Sequence, residues 1–399
     1  MTQEAEVRRE TAAAEADWVA RARKVAPLVA QASDETERTR RVPDRVMAAL
    51  HEQALFRMLL PRSVNGGEAT PLAFMEVMEV LGAADASTAW CLGQGLGCTF
   101  AAAYLDHAVA MDVFGSADAI LAWGPPGGAA RAVKVKGGYR ATGRWRFASG
   151  SPHATWFGGH SAVFEDEQTP AKDTRGAPVR RTMLIPADKV TILDVWQVIG
   201  LRGTGSNDYE VADLFVPEAY TTWRDSEPDR REHGPLYSIP LLTNYGIGFA
   251  GIALGIARAM LDAFRELAET KVGGGMSVPL RENAVIQAEV ARAEGRIASG
   301  RAFLADMIGE TWETACRGDP FPMDQRARLR IAITGAIDHA RQAVDFAYHA
   351  AGTNAIFERG PFERRFRDLH TLTQQGQAHL ANFEFAGQAL MGLHPGHRV

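Results

Sequence analysis

Cysteine is scarce: the 399 residues include only Cys91, Cys98 and Cys316. Three thiols cannot pair completely and their spacing matches no metal-ligand pattern, which excludes a disulfide scaffold and predicts a reduced, cytoplasmic protein. A surplus of positive charge is lacking too. With 43 Lys and Arg against 48 Asp and Glu, a net charge of −5 and a pI near 6.1, nothing steers the chain onto phosphate backbones, so no nucleic-acid partner is expected. The opening MTQEAEVRRE has no apolar stretch of the kind a secretory signal needs. Also missing are G-x-G-x-x-G after a strand, G-x-x-x-x-G-K-[ST], H-E-x-x-H and G-x-S-x-G, so the dinucleotide-fold, P-loop, zincin and hydrolase-elbow readings fail. His349, His370 and His379 cluster near the end without a Glu-x-x-His pair, and no metal site is expected.

Two uncharged runs are present, Ala86–Leu105 and Ile239–Ala257. Each matches the roughly 20 residues that span a bilayer. The first carries Ser87, Thr88, Gln94 and Thr99, the second Pro240, Thr243 and Asn244, and neither has a flanking Lys/Arg bias, so no membrane partner is expected. The runs read instead as two central helices buried on all sides. Small residues, such as the pair Gly251 and Gly255, would admit either another helix or a flat ligand close to the backbone.

The remaining patterning divides the chain. Up to about residue 118 apolar residues recur three and four apart, as in Asp44–Leu55 and Pro71–Leu81. Between 119 and 235 the runs become short and β-branched, and VKVKGGYRATG reads as a hairpin with Gly137 and Gly138 in its turn. From 236 helical stripes return: Ile252, Ile256, Met260, Phe264 and Leu267; Ile286, Val290, Ile297, Leu304 and Ile308; Leu329, Ile333, Ile337, Val344 and Tyr348. A fourth helix is expected from about Pro361 to Gly392. The fold class is therefore α+β: an N-terminal α-helical domain (1–118), a middle antiparallel β domain (119–235) and a C-terminal four-helix bundle (236–399).

Four segments in this order carry a resemblance: DASTAW (Asp85–Trp90), GRWRFASGS (Gly143–Ser151), GLRGTGSNDYEVADLFVPE (Gly200–Glu218) and ERRFRDLH (Glu363–His370). Together they resemble the acyl-CoA dehydrogenase superfamily, particularly its oxygen-using branch of reduced-flavin-dependent two-component monooxygenases. The resemblance implies a flavin slot in which Trp123, Gly124 and the Arg144–Ser151 segment lie along the ring and Ser149 hydrogen-bonds N5. Read from the residues alone, Trp123 and Trp145 are equally plain core aromatics and Ser149 a turn residue. Thr353 and Asn354 in AAGTNAIF resemble a flavin-contacting turn that a neighbouring subunit supplies, and Lys271 stands where the dehydrogenases keep an arginine. Because the chain reads KVGGGMS there instead of Arg-x-x-Phe-Gly, the resemblance favours FMN, with FAD as the alternative.

The resemblance also locates the chemistry. Dehydrogenases carry a basic glutamate about nine residues after the Arg-Asp pair. Counting from Arg367 and Asp368, that place falls at or beside Gly376, with no Glu-Gly-Thr. The monooxygenases put a histidine one position earlier, where this chain has Gln375, a residue that donates and accepts hydrogen bonds but is no base near neutral pH. On a continuous helix His379 lies one turn further on, as the missing base or as an ordinary helix histidine. Substrate-pocket candidates are Trp90, Gln94 and Phe249, with Phe100 and Trp156 beside them, all open to a core reading. The implied function is an oxygenase that takes reduced FMN from a separate NAD(P)H:flavin reductase and oxygenates an aromatic or nitrogen-containing small molecule. The alternatives are an FAD-dependent acyl-CoA dehydrogenase or oxidase with a relocated base, and a helical scaffold that has lost its flavin. A homotetramer is implied by the same resemblance.

Overall fold

The computed structural model describes residues 3–224, 226–275 and 277–395. Five helices come first: α1 (Gln3–Thr39), α2 (Asp44–Glu52), α3 (Pro71–Ala84), α4 (Ala86–Thr99) and α5 (His107–Phe114). Their boundaries follow local chemistry. The Thr70 hydroxyl accepts from Ala73 N–H with Pro71 at the first helical position, and the Asp85 carboxylate accepts from Thr88 N–H at 2.7 Å, so one side chain starts α3 and another separates it from α4.

Eight strands follow: β1 (Leu121–Gly124), β2 (Arg131–Val135), β3 (Gly138–Ala148), β4 (Trp156–Phe164), β5 (Arg180–Pro186), β6 (Thr191–Leu193), β7 (Asn207–Pro217) and β8 (Thr221–Thr222). They form one sheet in the order β6-β7-β3-β2-β4-β5-β8. It is antiparallel except around β4, where β1 and β2 lie end to end along one edge, both parallel to it. The long β3 excursion returns the chain to β4 in the direction of β2, so the expected antiparallel β domain carries two parallel pairings at β4. The β2–β3 hairpin is also one residue out of the expected place. Val135 pairs with Gly138, so the turn is Lys136 and Gly137, and only Gly137 takes a positive φ, +83°.

The last part holds α6 (Leu241–Thr270), α7 (Ala284–Arg317), α8 (Met323–Ala351), α9 (Glu363–Leu372) and α10 (Ala381–Leu390). Both uncharged runs are buried over most of their length. Every residue of α4 except Gln94 is buried, and α6 is buried from Asn244 to Ala257 against α3, α4 and α8. The small-residue pair of α6 admits a helix: a side chain at Gly251 would meet the Met75 carbonyl and one at Gly255 the Glu79 carbonyl, both on α3. The expected fourth bundle helix is broken. After Leu372 the chain turns, makes a short 3-10 segment at Gly376–Ala378 and restarts at Ala381. TQQGQ, residues 373–377, offers no apolar side chain to hold a helix against the bundle, and glycine interrupts it.

Candidate active site

A cavity of about 510 Å³ opens where α4, α6, the sheet and the α9–α10 connection converge. Its walls are aromatic. Trp90 of α4 stacks on Phe249 of α6 with centroids 4.3 Å apart, and Tyr245 continues the stack. Trp123 at the end of β1 donates from Nε1 to the Tyr245 hydroxyl at 3.1 Å. Phe147 enters through a bulge. The β3–β7 register shifts between Trp145 and Ala148, Phe147 takes φ +58°, and its side chain, 56% exposed, stands edge-on to Trp196. A bulge re-aims a side chain in this way. Gly124, also lining, lies so close to β3 that a Cβ would fall on the Arg146 carbonyl.

The polar groups form a chain with a fixed direction. The Thr204 hydroxyl donates to the Leu201 carbonyl at 2.8 Å, which uses its only proton. The Ser206 hydroxyl, 2.7 Å away, must therefore donate to Thr204, and Ser149, 2.7 Å from Ser206, must donate to Ser206. The Ser149 oxygen takes the Trp90 Nε1–H at 3.0 Å, which leaves it one lone pair and no proton. It faces the cavity as an acceptor. The loop carrying Leu201 to Ser206 is clamped in turn. Leu201 N–H donates to the buried Asp368 carboxyl at 2.6 Å, while Arg367 reaches the Ile199 carbonyl and Glu37. Burial, with Asp85 and Glu37 nearby, pushes the Asp368 carboxyl up to about 7 against the pull of the Leu201 N–H. The four segments read from the sequence thus meet at one place.

The candidate residues separate cleanly. Trp90, Gln94, Trp123, Gly124, Ser149, Phe249 and Gln375 all line the cavity. The Gln375 side chain accepts from Gln377 N–H at 2.7 Å, capping the 3-10 turn. His379 is displaced: because the helix is broken it is exposed, its Nδ1 accepts from Ala381 N–H, and it is not among the lining residues. Lys271 and Asn354 find each other, Nζ to Oδ1 at 2.7 Å, but neither they nor Thr353 line this cavity. Trp145 is core, fully buried and stacked on Tyr209. Trp156 stacks on Tyr220 outside the cavity, and Phe100 lines a different one. His370 is structural, bonded to Asp345 at 2.8 Å.

Sequence reasoning missed His160, Trp196, Arg224, Tyr245 and Gln377 in the lining. His160 of β4 bonds Thr182 through Nδ1 at 2.7 Å. Burial and then the Arg224 charge push its pKa down to about 3, so it serves the cavity as a neutral imidazole and not as a base. No carboxylate lines the cavity among the described residues.

The flavin fits this site: a flat aromatic slot, a glycine approach at Gly124 and a polar acceptor at Ser149 are what an isoalloxazine ring needs. Comparison with known proteins points the same way. Residues 8–114 match the acyl-CoA dehydrogenase N-terminal domain and residues 247–379 the acyl-CoA dehydrogenase C-terminal domain. The chain is 30% identical to an indole-3-acetate monooxygenase of Pseudomonas putida, covering 90% of each chain. It is 28% identical to the flavin-dependent monooxygenase oxygenase subunit HsaA of Rhodococcus jostii, over 89% of this chain and 92% of that one. The solved structure of XiaF from a Streptomyces species, in complex with FADH2 and glycerol, superposes with a TM-score of 0.88 at 26% identity and 98% coverage of both chains. With the fold, the site and these relatives in agreement, the chain belongs to the acyl-CoA dehydrogenase family, in its branch of flavin-dependent monooxygenases.

Proposed function

We propose that this protein is the oxygenase component of a two-component monooxygenase, which binds reduced FMN delivered by a separate NAD(P)H:flavin reductase, with FAD as the alternative cofactor. The bound flavin supplies the two electrons that, with O2, place one oxygen atom on an aromatic or nitrogen-containing small molecule and release the other as water. The observation that carries this reading is the direction of the Ser149 chain. An acceptor without a proton suits the N5–H of a reduced flavin and mismatches the bare N5 of an oxidised one. The aromatic walls exclude water and orient a flat substrate, and Gln375 and neutral His160 offer hydrogen bonds without a permanent charge.

Acyl-CoA dehydrogenation needs a positioned carboxylate base, and the lining supplies none among the described residues. The intact hydroxyl chain argues against a scaffold that has lost its flavin. Homotetrameric assembly belongs to the same proposal, with Thr353, Asn354 and Lys271 gripping the flavin of a neighbouring copy. Cytoplasmic placement is supported by three free thiols.

The experiment supplies NADH, FMN, a flavin reductase, 18O-labelled O2 and a panel of indoles and phenols, the compound types named in the relatives indole-3-acetate monooxygenase and resorcinol hydroxylase. One labelled oxygen in the product is expected only when the reductase is present. Turnover with NADH, FMN and this protein alone, or anaerobic bleaching of bound flavin by acyl-CoA thioesters, contradicts the reading.

A further inference from the structure

One arginine belongs to two cavities. Besides the aromatic cavity, a second of about 740 Å³ lies over the starts of α6 and α8, and the two linings share Arg224, Leu242 and Gln377. The second cavity is electropositive: Arg224, Arg230, Arg326 and Arg330 line it against Glu227 and Asp319. Such a surplus draws anions inward.

Arg224 is stacked on Trp123. Its guanidinium carbon lies 3.8 Å from the centre of the Trp123 ring, and Nη1 is buried with no hydrogen-bond partner. Among the described residues it makes no ion pair. Stacking on an indole holds a guanidinium by its face and leaves its edge N–H groups free for a planar acceptor. A buried donor without a partner carries a desolvation cost that an incoming anion removes. Across the same junction Gln377 Oε1 is also buried and unpartnered, ready for an N–H or O–H of the same ligand.

We propose that Arg224 anchors the carboxylate of a planar aromatic acid whose ring occupies the aromatic cavity, so that the substrate is an aryl carboxylate drawn in through the electropositive one. This deepens the oxygenase reading and rests on it. A carboxylate matches the guanidinium edge with two parallel hydrogen bonds, which a neutral amide of the same shape does not.

The test is anaerobic calorimetry on the protein loaded with reduced FMN, titrating phenylacetate, indole-3-acetate and 1-naphthaleneacetate, each against its primary amide. At least one acid is expected to bind about ten- to a hundredfold tighter than its amide, from the strength of a charge-assisted pair. Arg224→Gln is expected to erase that preference and Arg224→Lys to keep part of it, and the association rate of the acid should fall as salt rises. Reduced-FMN affinity and melting temperature of each variant separate a lost anchor from a collapsed site; should Arg224→Gln not fold, the wild-type preference and Arg224→Lys decide. If no acid in the panel is preferred over its amide, or Arg224→Gln retains the preference, the anchor is overturned while reduced-FMN binding stands. If wild-type protein does not bind reduced FMN, the oxygenase reading fails and the anchor with it.

Discussion

The Ser149 and Ser206 hydroxyl oxygens lie 2.7 Å apart, and the Leu201 carbonyl at the far end of their chain decides that Ser149 is the donor. In the proposed flavin site, the backbone of one loop would thereby favour the reduced form. Ser206→Ala frees the Ser149 proton to point inward. The ratio of oxidised to reduced FMN dissociation constants should then fall about fivefold, the worth of one net hydrogen bond, measured by anaerobic titration of both forms.

The break after Leu372 separates two residues that a continuous helix would have aligned. His379→Ala should leave oxygenation within about twofold of wild type, since its ring is exposed and caps Ala381. Gln375→Ala removes both a wall of the cavity and the cap on Gln377 N–H, so coupled oxygenation should drop at least about tenfold, with a stability loss of about 1 kcal/mol. Steady-state turnover and melting curves of the two variants check this.

Asp368 carries a pH signature. Its folded pKa of about 7 lies above the ordinary 3.8, so the folded state holds the proton more tightly than the unfolded chain. Its contribution to stability is complete below about pH 4 and is lost as pH rises through 7. Asp368→Asn mimics the protonated form at every pH. Wild type and variant should melt together near pH 3, below both pKa values, and by pH 8 the variant should be the more stable by a few kcal/mol, read from denaturant unfolding at both values.

The helical parts of the fold were legible because their stripes are long and regular. The core of the site was legible for a different reason: Trp90, Ser149, Leu201 and Asp368 sit in four short segments whose joint order is distinctive. Arg224, His160 and Trp196 were not legible. Each lies in an unremarkable stretch and reaches the cavity only through sheet topology, which no local pattern encodes. The break after Leu372 is not legible because a single glycine in a polar run is tolerated in many helices; here no apolar face compensates for it.

If copies of this chain assemble as a tetramer and share flavin contacts, Asn354→Ala should weaken reduced-FMN binding several-fold while the hydroxyl chain at Ser149 stays intact. Native mass spectrometry reports the assembly and fluorescence titration the affinity.

The most direct test of the account is an anaerobic comparison of wild-type protein binding reduced and oxidised FMN. Reduced FMN should bind at least about tenfold tighter, because Ser149 presents an acceptor and no proton. Equal affinity, or tighter binding of the oxidised form, would contradict the claim that this site is built for a reduced flavin.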